Sequence, residues 1–96
     1  MGINELLQGK REEILAIARR HGARNVRVFG SVARGEADER SDVDLLVSLD
    51  PGVTLLKHAA LVRELGDLLG RKVDVVSDRA LRPRIRDRVL DEAVAL

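Results

Sequence analysis

From the N-terminus to about residue 21, apolar side chains recur every three or four positions: Ile3, Leu6, Leu7, Ile14, Ile17 and Ala18. That spacing lines one face of a helix. Asn4 is placed to cap its start and Gly22 to stop it, so a single helix is predicted from Asn4 to His21. The opposite face carries Lys10, Arg11, Glu12, Glu13, Arg19 and Arg20 and reads as solvated surface, with His21 suited to the helix C-terminus rather than to a ligand's role. The pattern then changes to short apolar runs. Strands are predicted at about Asn25–Phe29 and Val43–Leu49, the second ended by Asp50-Pro51-Gly52. Thr54 opens another helical pattern, with Leu55, Ala59, Val62, Leu65 and Leu69 as its apolar stripe and Gly70 as its stop. His58, next to that stripe, reads as a half-buried structural histidine. Lys72 to Val76 forms a third strand with an acid, Asp74, in its middle. The last segment, Arg79 to Leu96, has Pro83 early in a helix and Ile85, Val89, Leu90 and Ala93 on one side.

These elements constrain the topology. Twelve residues separate Gly30 from Val43, too few for a parallel crossover with a full helix, so the first two strands pair antiparallel. The strand, helix and strand that follow favour a right-handed parallel crossover, which sets the third strand against the second. The expected fold is α/β in two layers. A three-stranded mixed sheet packs Val43, Leu45, Val47, Val73 and Val75 against helices on one face and leaves its other face, with the acids, open to substrate.

Composition narrows the classes of function. Ninety-six residues make one domain, 1–96, with no room for a separate substrate-binding module. A net charge of +1, from 17 basic and 16 acidic residues, argues against general electrostatic capture of nucleic acid or an anionic membrane. The absence of cysteine excludes disulfides and thiolate metal sites. No apolar run approaches the roughly 18 residues of a membrane span, and MGINELLQGK lacks the apolar core of a signal peptide, so a cytoplasmic protein is expected. With 34% charged residues, one Met and few amides, the composition leans toward a thermophile.

The candidate chemistry lies in VRVFGSVARGEADERSDVDLLVSL, Val26 to Leu49. Asp42 and Asp44 alternate with Val43, Leu45 and Val47, so both carboxylates project from one face of the strand. From Glu36 to Asp50 the acids Glu36, Asp38, Glu39, Asp42, Asp44 and Asp50 face a single base, Arg40. A hard divalent cation such as Mg²⁺ relieves that repulsion and keeps sites for water or phosphate. Gly30-Ser31, opening a short helical turn to about Gly35, leaves backbone N–H groups free for a phosphate. The antiparallel pairing places Ser31 beside Asp42 and Asp44, and the parallel pairing places Asp74 beside Asp44. Asp74 reads either as a charged edge-strand residue that blocks aggregation or as a third ligand to the same cations. Arg79, Arg82, Arg84, Arg86 and Arg88 read as a solvated basic face or as a contact for triphosphate or a partner.

Gly30-Ser31, ten intervening residues, then Asp42-x-Asp44 at the head of an apolar strand resembles the signature of the DNA polymerase β-type nucleotidyltransferases. The form GSVARGEADERSDVDLLV, with Arg34-Gly35 after the Gly-Ser pair and Ser41 before Asp42, is similar to their minimal members. The resemblance covers nearly the whole chain. It implies the nucleotidyltransferase fold and transfer of a nucleoside monophosphate, AMP from ATP or the equivalent from another nucleoside triphosphate, with two Mg²⁺ ions. Asp42, Asp44 and Asp74 would be the metal-binding catalytic carboxylates. Gly30 and Ser31 would cradle the β- and γ-phosphates, and Arg34 would neutralise charge. Minimal members commonly stand beside a HEPN-domain toxin as the antitoxin that transfers AMP to it, so such a toxin is the partner implied, with tyrosine as the acceptor residue. A non-catalytic module that neutralises a partner by masking it, and an aminoglycoside-type enzyme acting on a small molecule, are the other readings.

Overall fold

The computed structural model describes residues 3–38 and 40–96, with side chains from residue 5 onward. Strands β1 (Ala23–Phe29), β2 (Val43–Leu49), β3 (Val73–Ser77) and β4 (Val94–Ala95) form one sheet in the order β3-β2-β1-β4. β1 and β2 are antiparallel and β2 and β3 parallel, as the connection lengths require. The expected three-stranded sheet gains a fourth strand: Val94 and Ala95 lie antiparallel on the other edge of β1, opposite Val28 and Arg27. Two residues are too few to show an alternating pattern, and they follow a helix so closely that the sequence reads as more helix.

The helices are α1 (Ile3–Gly9), α2 (Arg11–Arg20), α3 (Leu55–Leu69) and α4 (Pro83–Glu92), with a short 3-10 turn at Asp78–Ala80 before the last. The single N-terminal helix of the sequence reading is therefore two. The chain leaves helical geometry at Lys10 (φ −107°, ψ 7°), directly after Gly9, whose backbone freedom weakens a helix interior. Both halves still bury the expected face through Leu7, Ile14 and Ala18. The proposed Asn4 cap and Glu39 lie outside the described side chains. α3 starts where expected, with Thr54 Oγ1 accepting from the Lys57 N–H at 3.2 Å, and ends at Gly70 with φ +66°. Its buried stripe is Leu61, Leu65 and Leu69, however, and Leu55 is 87% exposed. A leucine-rich helix offers more than one apolar register, and packing on the sheet selects among them. α4 stops at Glu92 because Ala93 turns extended (φ −65°, ψ 138°) and the edge of β1 captures the residues that follow.

Val43, Leu45, Val47, Val73 and Val75 are buried on the core face of the sheet with Ile14, Ala18, Leu61 and Leu65. Ala23 and Val26 both point into this core although three residues apart. A bulge reconciles them: the pairing of β1 with β2 shifts register between Arg24 and Arg27, and Asn25 adopts φ +53°, a conformation that asparagine tolerates. His58 is structural, its Nε2 lying 2.9 Å from the Val75 carbonyl oxygen. His21 pairs with Glu64, tying α2 to α3.

The opposite face carries Phe29, Arg27, Asp44, Leu46, Ser48, Asp74 and Val76, and it is not open along its whole length. Leu46 is fully buried. Beyond it Asp78 closes the far end, accepting from Ser48 Oγ at 2.7 Å and from Arg27 Nη2 at 3.5 Å. The Ser48 hydroxyl and the Arg27 charge hold the Asp78 carboxyl below the usual carboxylate range, against desolvation. A depressed carboxylate pKa stabilises the fold above the unfolded-state value, and that contribution is lost as pH falls through the folded-state value. Asp78→Ala is expected to cost about 1 kcal/mol near neutral pH. In thermal melts the gap from the wild type should close as pH falls through the depressed Asp78 pKa, and a gap independent of pH would show that charge plays no part.

Candidate active site

β1 ends at Phe29, whose partner on β2 is Asp44, so the residue after Phe29 must pass close to that carboxylate. That residue is Gly30, with φ +74°. A Cβ built here would collide with Asp44 Oδ2 and lie 3.3 Å from its carboxyl carbon. Glycine is thus required twice over, by backbone conformation and by space. The chain then makes one helical turn, with Arg34 N–H donating to the Gly30 carbonyl at 3.1 Å and Glu36 N–H to the Ser31 carbonyl at 2.9 Å. Val32, 3% exposed, pins the turn to the core. The N–H groups of Ser31, Val32 and Ala33 precede the first one that bonds back into the turn, and they sit at the same end of the sheet as Asp44.

Asp44 and Asp74 are direct partners in the β2–β3 register. Asp42 stands two residues earlier, just before β2 begins, with Val43 turned into the core between the two acids. Desolvation pushes the Asp44 carboxyl above its ordinary range, the charges of Asp74 and then Asp42 push it further, and Arg34 opposes them. Asp42 pairs with Lys72 Nζ at 3.8 Å. Among the described residues, no hydrogen bond or ion pair engages the carboxylates of Asp44 or Asp74. The same residues form no ready-made cluster of three or more His, Cys, Asp or Glu gathered to hold a metal. The donor chemistry nevertheless fits a hard divalent cation: three carboxylates at one strand end, with the central one half-buried, unpaired and disfavoured as an anion by its neighbours.

Other residues of the site escaped the sequence reading. Asp38 and Ser41 brace the loop into β2 reciprocally: Asp38 N–H donates to Ser41 Oγ at 2.9 Å, and Ser41 Oγ donates to Asp38 Oδ1 at 3.2 Å. The Asp-x-x-Ser spacing was the available signal. Arg34 is brought to the site but is already engaged, through Nη1 to Glu92 at 2.6 Å and Nε to Glu36 at 3.0 Å. Its guanidinium is held by these two carboxylates. Glu92 ends α4, so the ten residues of that helix, about 15 Å long, carry Arg82 and Arg84 away from the carboxylates. Arg86 and Arg88 lie closer to Glu92 on the same helix.

The sequence profile of the nucleotidyltransferase domain family matches residues 11–96. This chain belongs to the nucleotidyltransferase family. It is 41% identical over 92 residues to the protein adenylyltransferase MntA of Thermococcus cleftensis, spanning 96% of this chain and 90% of that protein. It is 58% identical to a solved structure of a protein described as a minimal nucleotidyltransferase, with a TM-score of 0.87 over 96% of this chain and 94% of the other. A complex of a tri-AMPylated HEPN toxin with its MNT antitoxin, from Shewanella oneidensis, contains a chain 19% identical with a TM-score of 0.70, over 92% of this chain and 69% of the other. At that identity the shared property is the fold. The enzyme's α/β architecture, with its mixed sheet and helices, is that of the minimal nucleotidyltransferases. Among the described residues, no helix is long and apolar enough to cross a membrane.

Proposed function

We propose that this nucleotidyltransferase is a protein adenylyltransferase that moves AMP from ATP to a hydroxyl of a partner protein, as the antitoxin of a HEPN toxin pair. The observation that carries the reading is the contact of Gly30 with Asp44, which joins the phosphate turn and the carboxylates in a single site. The similarity to MntA and the fold shared with the HEPN–MNT complex support the choice of a protein acceptor. Backbone N–H groups after Gly30, with Ser31, bind the β- and γ-phosphates of ATP. Mg²⁺ ions held by Asp42, Asp44 and Asp74 would supply charge neutralisation at the phosphate oxygens and polarise the acceptor hydroxyl. The acceptor oxygen bonds to the α-phosphorus as the bond from that phosphorus to the bridging oxygen breaks. Pyrophosphate leaves and the hydroxyl proton passes to solvent. A single small domain supplies the floor of such a site but few walls, so an acceptor that brings its own folded surface, with tyrosine as its reacting residue, suits it.

Asp74 sits on β3, one strand beyond Asp44. Asp74→Asn should lower the transfer rate by about a hundredfold while ATP affinity changes by only a few-fold, because the lost interaction belongs to the reacting hydroxyl. Transfer of label at the wild-type rate would make Asp74 structural. A wild-type protein that binds its partner and ATP but transfers nothing would favour masking.

A further inference from the structure

Val32 roots the phosphate turn in the core, but Val32 and Ala33 also line a cavity of about 250 Å³ together with Val94, Ala95 and Leu96. Close packing therefore does not fix the turn on that side. Among the described residues, one hydrogen bond or ion pair joins residues 31–36 to a distant part of the chain: Arg34 Nη1 donates to Glu92 Oε1 at 2.6 Å. The other bonds of the turn are internal, including that from Arg34 Nε to Glu36. Glu92 is itself a fixed point. It ends α4, whose one buried side chain, Val89, is anchored a turn earlier. Beyond it Val94 pairs with Val28, and the Leu96 N–H donates to the Val26 carbonyl at 3.0 Å. For the helix alone the residue is poorly placed, because a carboxylate in the last turn faces the negative end of the helix dipole and no basic residue stands there to offset it. Its favourable partner lies across the chain, at Arg34.

We infer that Glu92 is a positioning residue for ATP: its carboxylate clasps Arg34 and holds the N–H groups of Ser31, Val32 and Ala33 in line with Asp44. The consequence for ATP rests on the adenylyl-transfer reading; the clasp rests on the geometry of the turn. Glu36 cannot replace Glu92 in this role, because it belongs to the turn and travels with Arg34. The bond to Glu92 also keeps Arg34 where its charge opposes the crowding of acids at Asp44. Charge and position act here in opposite senses. Removing a carboxylate beside a polyanion site favours binding by charge alone. Slackening the turn disfavours it, because the N–H donors must then be ordered at the moment of binding. The pair is partly exposed, 42% at Arg34 and 20% at Glu92, so it adds little to global stability and acts on the turn.

The test uses the full chain without a partner. Amide hydrogen exchange is read by NMR at the bonded N–H groups of Arg34, Gly35 and Glu36, and binding of ATP with Mg²⁺ is read by calorimetry. Glu92→Ala should speed exchange in the turn by about tenfold. It should weaken ATP binding by about tenfold, the scale of one charge-assisted hydrogen bond, while Tm moves by no more than a few degrees. Glu92→Gln keeps an acceptor oxygen and should stay within about threefold of the wild type in both readouts. Glu36→Ala should also stay within about threefold, as an exposed pair inside the turn. Added to Arg34→Ala, Glu92→Ala should cost nothing further, because the two act as a unit. Unchanged exchange in Glu92→Ala, ATP binding that is unchanged or tighter, equal losses from Glu92→Ala and Glu36→Ala, or additive losses in the double variant would overturn the inference. A turn that slackens in Glu92→Ala, in a protein whose wild type does not bind ATP, would instead defeat the adenylyl-transfer reading and leave the clasp standing.

Discussion

Asp44→Asn is expected to lower nucleotidyl transfer by about three orders of magnitude, the scale of losing one preorganised electrostatic contact to a transition state, and at the same time to make the metal-free protein more stable. The two effects share a cause. The Asp44 carboxyl titrates above its ordinary range because it is partly desolvated and faces Asp74 and Asp42. A raised carboxylate pKa means that ionisation opposes folding, so this penalty is present above the folded-state pKa and is relieved as pH falls through it. Asparagine removes the penalty at neutral pH. In the wild type a cation should do the same: Mg²⁺ with ATP at about a hundred times Kd adds about 2.7 kcal/mol, or roughly 11–22 °C in Tm for a domain of this size. The variant should melt higher than the wild type without metal and show little further rise with it. A variant that melts lower, or that keeps the full response to Mg²⁺ and ATP, would remove Asp44 from the site.

Gly30→Ala should be nearly as damaging although it deletes no functional group. Alanine at φ +74° costs about 1 kcal/mol or more in backbone strain, and its methyl group would collide with Asp44 Oδ2. Either the Asp44 side chain rotates away or the turn shifts, and both separate the phosphate-binding N–H groups from the carboxylates. Transfer is expected to fall by about a hundredfold, the effect of an ångström of misplacement, with stability lower by about 2 kcal/mol. Gly35, with φ +74° but nothing within 4 Å of an added Cβ, isolates the strain: Gly35→Ala should destabilise without a comparable loss of transfer. If the two variants behave alike, the close approach of Gly30 to Asp44 has no functional weight.

Much of this site was legible in the sequence because its geometry follows from local rules. Period-two alternation put Asp44 on the face opposite Val43 and Leu45, the short connection made β1 and β2 antiparallel, and the βαβ order placed Asp74 next to Asp44. What was not legible depends on tertiary competition. Leu55 and Leu61 have the same intrinsic preference, and only the sheet decides that Leu61 is buried. The break at Lys10 and the bulge at Asn25 are single-residue departures that periodicity averages away. β4 exists because β1 has an edge to fill, and Glu92 reaches Arg34 only because α4 returns to the open end of the sheet. Distance in three dimensions also separated two basic groups that look alike in sequence, leaving Arg63, Arg71 and Lys72 near the carboxylates and Arg82 and Arg84 away from them.

The most direct measurement of the central claim follows one phosphorus atom. The purified chain is incubated with Mg²⁺, ATP labelled at the α-phosphate and the protein that co-purifies with it from its native host, and the products are separated and identified by mass spectrometry. The expected result is one or more AMP groups on tyrosine hydroxyls of the partner, with pyrophosphate released, and no transfer when Mg²⁺ is withheld or Asp44→Asn replaces the wild type. Label found only on RNA or on a small metabolite, or a partner bound tightly and left unmodified while ATP occupies the site, would contradict it.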